Sequence, residues 1–312
     1  MQYVSIYTKE CGRPVLKNIS MPSTRTSDKV QIQSHLQISK PIDPIFDEGI
    51  KMLSLYENVE DRLLSKAARI PALQALANSL LAQPSWAVDS SMVSELLQAA
   101  ETLDCELADW ARCIPTIWSY TTVKRLSPSA PPKVSSSSFV PGQMHQYPDF
   151  YAARVWNLYR VHRLIIQSIL LRTSPLAQNS LADYIPDDIR ISKINRAMAD
   201  DICGSVPYLL GYDLSELKSS GRLHTPYLQD EHFLWPQNST KASVPERTGK
   251  FSLIWPLYVA CSVSSVPETQ RLWIRAQLKW IAETGEAHAH LIMNAESQTL
   301  LGGPESFRFD CV

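Results

Sequence analysis

Glycine is scarce in this 312-residue chain, with 10 copies. Folds built from many short strands need frequent tight turns, and glycine is their usual means. Its scarcity therefore argues for long helices joined by few connections. Cysteine spacing is equally restrictive. The six cysteines are Cys11, Cys105, Cys113, Cys203, Cys261 and Cys311. No two form a C-x2-C pair, so no zinc ribbon or finger can be read. Their scatter is not the dense framework of a small secreted scaffold. Most of them read as buried thiols acting as small apolar residues. An excess of one charge is also lacking, because the formal net charge is −1. A phosphate-gripping domain shows a basic excess or stripe. Here only short clusters occur, such as Lys124-Arg125 and the spaced Arg154, Arg160 and Arg163.

Long hydrophobic runs are missing too. Residues 251–267 carry no charge but include Pro256 and several serines. The run falls short of the ~20 apolar residues that span a bilayer, so no membrane element is expected. The opening MQYVSIYTKECGRPVLK has no basic segment before an apolar core, and reads poorly as a signal peptide. No G-x-S-x-G, glycine-rich phosphate loop or H-E-x-x-H occurs, so no catalytic residue, cofactor or metal site is assigned.

What the chain does have is size and helical periodicity. At 312 residues it can bury roughly three quarters of its unfolded surface without a disulfide or metal staple. Residues 1–45 show no period and read as an irregular tail or extended arm. From Phe46 a helix is expected, with Ile50, Leu53, Leu55, Tyr56, Val59, Leu63 and Leu64 spaced by threes and fours. Pro71 marks a boundary, and a second helix runs to Pro84. Asp89, Ser90 and Ser91 offer N-caps for a third. Its inner face is Val93, Leu96, Leu97, Ala100, Leu103, Leu107, Trp110 and Ala111. Glu95, Glu101, Asp104, Asp109 and Arg112 take its outer face. A short helix is expected over TIWSYTTVKRL. A Ser/Pro-rich flexible loop follows at about 127–146.

Next comes YPDFYAARVWNLYRVHRLIIQSILLR, with Pro148 in its first turn and Asp149 at the positive end of the dipole. Its apolar residues cover most of the circumference, which marks a buried central helix. A further helix covers 187–205, with Ile191, Ile194, Met198 and Ile202 inward. Gly204 and Pro207 are expected to turn the chain, so that Val206, Tyr208, Leu209 and Leu210 pack on the central helix. Residues 211–250 read as polar loop. Three closing helices follow, the middle one with the stripe Trp273, Ile274, Leu278 and Ile281. The fold class is all-α, an irregular multi-helix array around a buried central helix, with the helical domain over 46–312.

Residues that invite chemistry have plainer readings. His288 and His290 point about 200° apart on a helix and share no metal. His162 reads as a hydrogen-bonded, partly buried histidine. Asp200 and Asp201 diverge by about 100°, which does not favour an acid/base pair. Cys203 has no cation beside it in sequence to lower its pKa. The N-x-S/T triplets at Asn18 and Asn238 read as chance matches. Trp156, Tyr159, Tyr208 and Trp255 are the candidate pocket or core lining.

Three stretches in order carry a resemblance. YPDFYAARVWNLYR (147–160), ICGSVPYLLGY (202–212), and WPLYVA with RLWIRAQLKWIAETG resemble the helical regulatory region of the fungal-specific transcription factor family. The resemblance covers about residues 46–300. It implies a helical regulatory domain of nuclear, binuclear-zinc-cluster regulators, without catalytic residues. It also implies partners among other transcription regulators or full-length relatives, and a small-molecule inducer. The zinc cluster needs C-x2-C-x6-C, which this sequence lacks, so no direct DNA binding through that module is expected. The chain is then either the trailing part of a longer regulator or a free-standing regulatory domain. A helical enzyme with a pocket near Tyr208, Trp156 and Trp255, and a cytoplasmic interaction scaffold, are the rival readings.

Overall fold

A computed structural model of the chain describes residues 4–10, 13–19, 58–125, 141–180, 187–211 and 244–294. Expectations for the rest of 1–45, for Phe46–Glu57, for the Ser/Pro loop over 127–140, for 212–243 and beyond 294 lie outside the described residues, as does the Asn238 triplet. The architecture is all-α. Its helices are α1 (Val59–Ala67), α2 (Ile70–Leu81), α3 (Ser90–Arg112), α4 (Phe150–Ser180), α5 (Asp188–Leu209), α6 (Val244–Cys261), α7 (Glu268–Glu283) and α8 (Ala287–Asn294). Two antiparallel ribbons accompany them. β1 (Val4–Glu10) pairs with β2 (Arg13–Ile19), and β3 (Thr121–Arg125) pairs with β4 (Gln143–Gln146). The first ribbon lies within the stretch read as irregular tail or arm.

Capping chemistry sets the helix starts. Asn58 accepts from the Asp61 N–H at 2.9 Å, and its own N–H donates to the Asp61 carboxylate at 3.2 Å. This reciprocal box opens α1. The backbone of Asn58 is extended, so the helix expected from Ile50 through Leu64 is broken there. Pro71 sits in the first turn of α2, where a missing N–H costs nothing. Asp89 caps α3 through the Ser91 N–H. Asp149 caps α4 through the Ala152 N–H at 2.7 Å, which leaves Pro148 just outside the helix.

Four expectations about helices and strands need correction. Residues 244–250, read as the end of the polar loop, are the first turns of α6. TIWSYTTVKRL is not a helix. A single 3-10 turn, Thr116–Trp118, leads into β3, because Pro115 and the β-branched Thr121, Thr122 and Val123 favour extended backbone. Residues 143–146 are strand β4 and not the end of the loop, with Met144 and His145 buried. Gly204 and Pro207 do not turn the chain. The helix runs through both to Leu209. Pro207 falls in the last turn and removes one helical hydrogen bond, its own donation to the Cys203 carbonyl, without ending the helix. The turn comes at Gly211, whose φ of 81° is cheap only for glycine.

α4 is the axis of the core, packed by α2, α3, α5 and α6. Val155, Val161, Leu164, Ile165, Ile166 and Ile169 are all inaccessible to solvent. α3 lays the expected Val93, Leu96, Leu97, Ala100, Leu103, Leu107 and Trp110 against it, all buried. The exception is Asp104, read as outward-facing but only 3% exposed. It takes a forked pair of hydrogen bonds from Arg163 at 2.8 and 2.7 Å. Trp110 stacks on Tyr159 at 5.4 Å, and its indole N–H reaches the Val59 carbonyl at 3.0 Å. That bond ties α1 to the α3–α4 pair. Trp273, Ile274, Leu278 and Ile281 form the buried stripe of α7. No helix among the described residues is long and apolar enough to cross a membrane.

Two glycines permit close approach. A Cβ on Gly249 of α6 would stand 1.7 Å from the Leu209 carbonyl oxygen at the end of α5. A Cβ on Gly204 would stand 2.9 Å from the Gln143 carbonyl oxygen and 3.1 Å from the His145 ring. A Cβ on Gly142 would meet nothing within 4 Å. Gly249→Ala should destabilise by roughly 3 kcal/mol or more, and Gly204→Ala by about 1–3 kcal/mol. Gly142→Ala should stay within ~0.5 kcal/mol. Urea denaturation midpoints compare the three.

Candidate functional site

The polar centre of the molecule is built on α4 at Arg160. Its guanidinium is fully buried. A buried charge is tolerable only with matched partners. Nη1 donates to the Tyr147 hydroxyl at 2.7 Å and to Asn157 Oδ1 at 2.8 Å. Nε stands 3.7 Å from Asp201 Oδ2 on α5. Tyr120, Tyr147 and Trp156 present ring faces at 5.0, 5.8 and 5.8 Å, and such faces attract a desolvated cation.

The β3–β4 ribbon completes this centre from outside. Tyr120, just before β3, donates to Asp201 Oδ2 at 3.2 Å. His145 of β4 lies tilted against Tyr120 at 4.5 Å, and its Nδ1 is 3.3 Å from the Tyr147 hydroxyl. Asn157 Nδ2 donates to Ser205 Oγ at 2.9 Å. Asp201, Gly204 and Ser205 thus lie on one face of α5, spaced by threes and fours as a helix requires. Gly204 lets β4 lie flat on that face.

Protonation in the centre is fixed around neutral pH. Burial works against the Arg160 charge, but Tyr147, Asp201 and Tyr120 outweigh it and hold its pKa above the ordinary arginine value. Burial raises the Tyr147 and Tyr120 phenols. Burial, with the Arg160 charge second, lowers His145 to about 3. His145 Nε2, 3.8 Å from Asp201, is therefore on a neutral ring and forms no ion pair. Arg160 stays charged, while His145 and the two phenols stay neutral, so none of these four groups moves a proton near pH 7. The centre works as an electrostatic staple, joining α4, α5 and the ribbon.

Two more arginines of α4 act alike. Arg154 donates to Glu60 Oε1 of α1 at 2.5 Å, and Tyr151 donates to the same carboxylate at 2.5 Å. Arg163 holds Asp104 of α3. The residues read as a spaced basic cluster are three inward ties to three other helices.

The candidate lining residues divide. Trp156, Tyr159 and Tyr208 belong to one aromatic network. Trp156 meets Tyr120 at 5.0 Å and Tyr159 at 5.7 Å. Tyr208, half-buried, meets Tyr147 at 5.3 Å and Phe150 at 5.4 Å. Trp255 stacks instead on Tyr258 of its own helix. Asp200 and Asp201 separate as their spacing requires. Asp200 accepts from Gln270 of α7 at 2.9 Å. Cys203 is buried and its thiol is raised, chiefly by burial; Cys261 is buried as well, whereas Cys105 and Cys113, read with the buried thiols, are exposed. His288 and His290 are exposed. His162, expected to be partly buried and hydrogen-bonded, is 1% exposed, and its Nδ1 lacks a hydrogen-bond partner among the described residues. Among those residues no three His, Cys, Asp or Glu side chains gather to hold a metal.

Sequence reasoning missed Arg160 as the hub, and with it Tyr120, His145, Tyr147, Asn157 and Ser205. A signal was present. Arg154, Asn157, Arg160 and Arg163 recur every third residue within a helix that is apolar around most of its circumference. Polar residues at that spacing share a face and need a polar partner.

No protein-family model matches the chain. No solved structure matches it. Among curated proteins, it is similar to transcription factor dbaG of Emericella nidulans, with 25% identity over 215 residues. The aligned part is 69% of this chain and 47% of that protein. The chain thus spans about half the length of the curated relative it matches.

Three outcomes test this description. Arg160→Met should cost about 3 kcal/mol, because it strands the Tyr147 hydroxyl, Asn157 and Asp201. Near-ultraviolet dichroism should report loosened tyrosine packing in that variant. Asp104→Asn should likewise cost about 3 kcal/mol by leaving Arg163 unpaired, while Asp104→Leu with Arg163→Met should recover most of the loss. The third concerns pH. His145 and His162 are both lowered to about 3 in the folded state, mainly by burial. In the unfolded chain each returns to about 6.5. The unfolded state therefore binds more protons below pH 6.5, and stability falls from there down to about pH 3. It is fully present above that window. Each histidine should contribute about 1.4 kcal/mol per pH unit of acid loss. Denaturation followed from pH 7.5 to 5 in His162→Gln should show that loss reduced by one histidine's share.

Proposed function

We propose that this chain regulates transcription through a helical regulatory and partner-binding domain. The observation that carries the reading is the similarity to a fungal transcription factor over 69% of the chain. The all-α architecture around α4 supports it, as does the order of the three stretches that resemble the fungal-specific transcription factor family. No two cysteines of the chain stand in a C-x2-C pair, so these residues carry no zinc-cluster contact with DNA. On this reading the domain acts through protein partners, either other transcription regulators or full-length relatives. It responds to a small-molecule inducer, works in the nucleus and catalyses no reaction.

The test is a tethering experiment. The chain is fused to a heterologous DNA-binding domain and expressed with a reporter carrying that domain's sites, and the location of the chain without that domain is followed separately by fluorescence. Reporter output should change at least several-fold in either direction, with the untethered chain enriched in the nucleus. Unchanged output together with exclusion from the nucleus would overturn the reading and favour the cytoplasmic scaffold. The Arg160→Met variant, if it folds, should lose the reporter effect, since the ribbon and α5 no longer hold their places on α4.

A further inference from the structure

No further inference is drawn: the strongest candidate, the apolar patch that Phe251 of α6 and Leu291 of α8 leave exposed beside His288, carries nothing because nothing in the structure shows what covers it.

Discussion

Everything in this molecule is arranged around the cost of taking guanidinium groups out of water. Of the α4 arginines, Arg160 is buried completely, Arg163 is mostly buried, and Arg154 stays partly in solvent while its partner Glu60 is buried. An isolated ion in such a setting would cost several kcal/mol even after relaxation. Each arginine therefore dictates what must stand opposite. Arg154 requires Glu60, Arg160 requires Asp201 with the hydroxyl of Tyr147, and Arg163 requires Asp104. Three different helices supply the three carboxylates. Their positions follow from the spacing of the arginines along one helix.

Apolar burial supplies most of the drive to fold, but it is not directional. α4 is apolar around most of its surface, so a partner helix sliding by one turn would still find leucine and isoleucine. The ion pairs remove that freedom. A one-turn slip of α5, about 5.4 Å, would take Asp201 away from Arg160 and leave both groups uncompensated. The glycines act in the same direction by steric means. Gly249 seats α6 against the end of α5, and Gly204 seats β4 on its face. Charge and close contact together fix a register that oily surfaces leave open.

The helical frame was legible in the sequence because period and capping are local properties. Val93 through Trp110 announced the buried face of α3, and Trp273 through Ile281 that of α7. The errors share a cause. Asp104 looks like an outward residue until Arg163, 59 residues away, is known to face it. Gly204 and Pro207 look like breakers until β4 is seen lying on the glycine. TTVKR looks like a helix end until it is seen paired with Gln143–Gln146. Trp156, Tyr159 and Tyr208 fell into one network, whereas Trp255 did not, since aromatic character says nothing about which rings meet. Tertiary partners decided every one of these cases, and periodicity has no access to them.

The ribbon across α5 has a bearing on how the chain matures. The tie between Arg154 and Glu60 closes a span of 94 residues, and that between Tyr120 and Asp201 one of 81. Such contacts carry high contact order, and their loop entropy is lost before they return any stabilisation. On the ribosome, Arg160 is made before its carboxylate at Asp201, with a delay of seconds at ~5–20 residues per second. Throughout that interval α4 is an oily helix with an uncompensated cation and no partner on its α5 side. A chain that has made α4 but not yet α5 thus presents an apolar helix face without its partner, the kind of surface that chaperones shield.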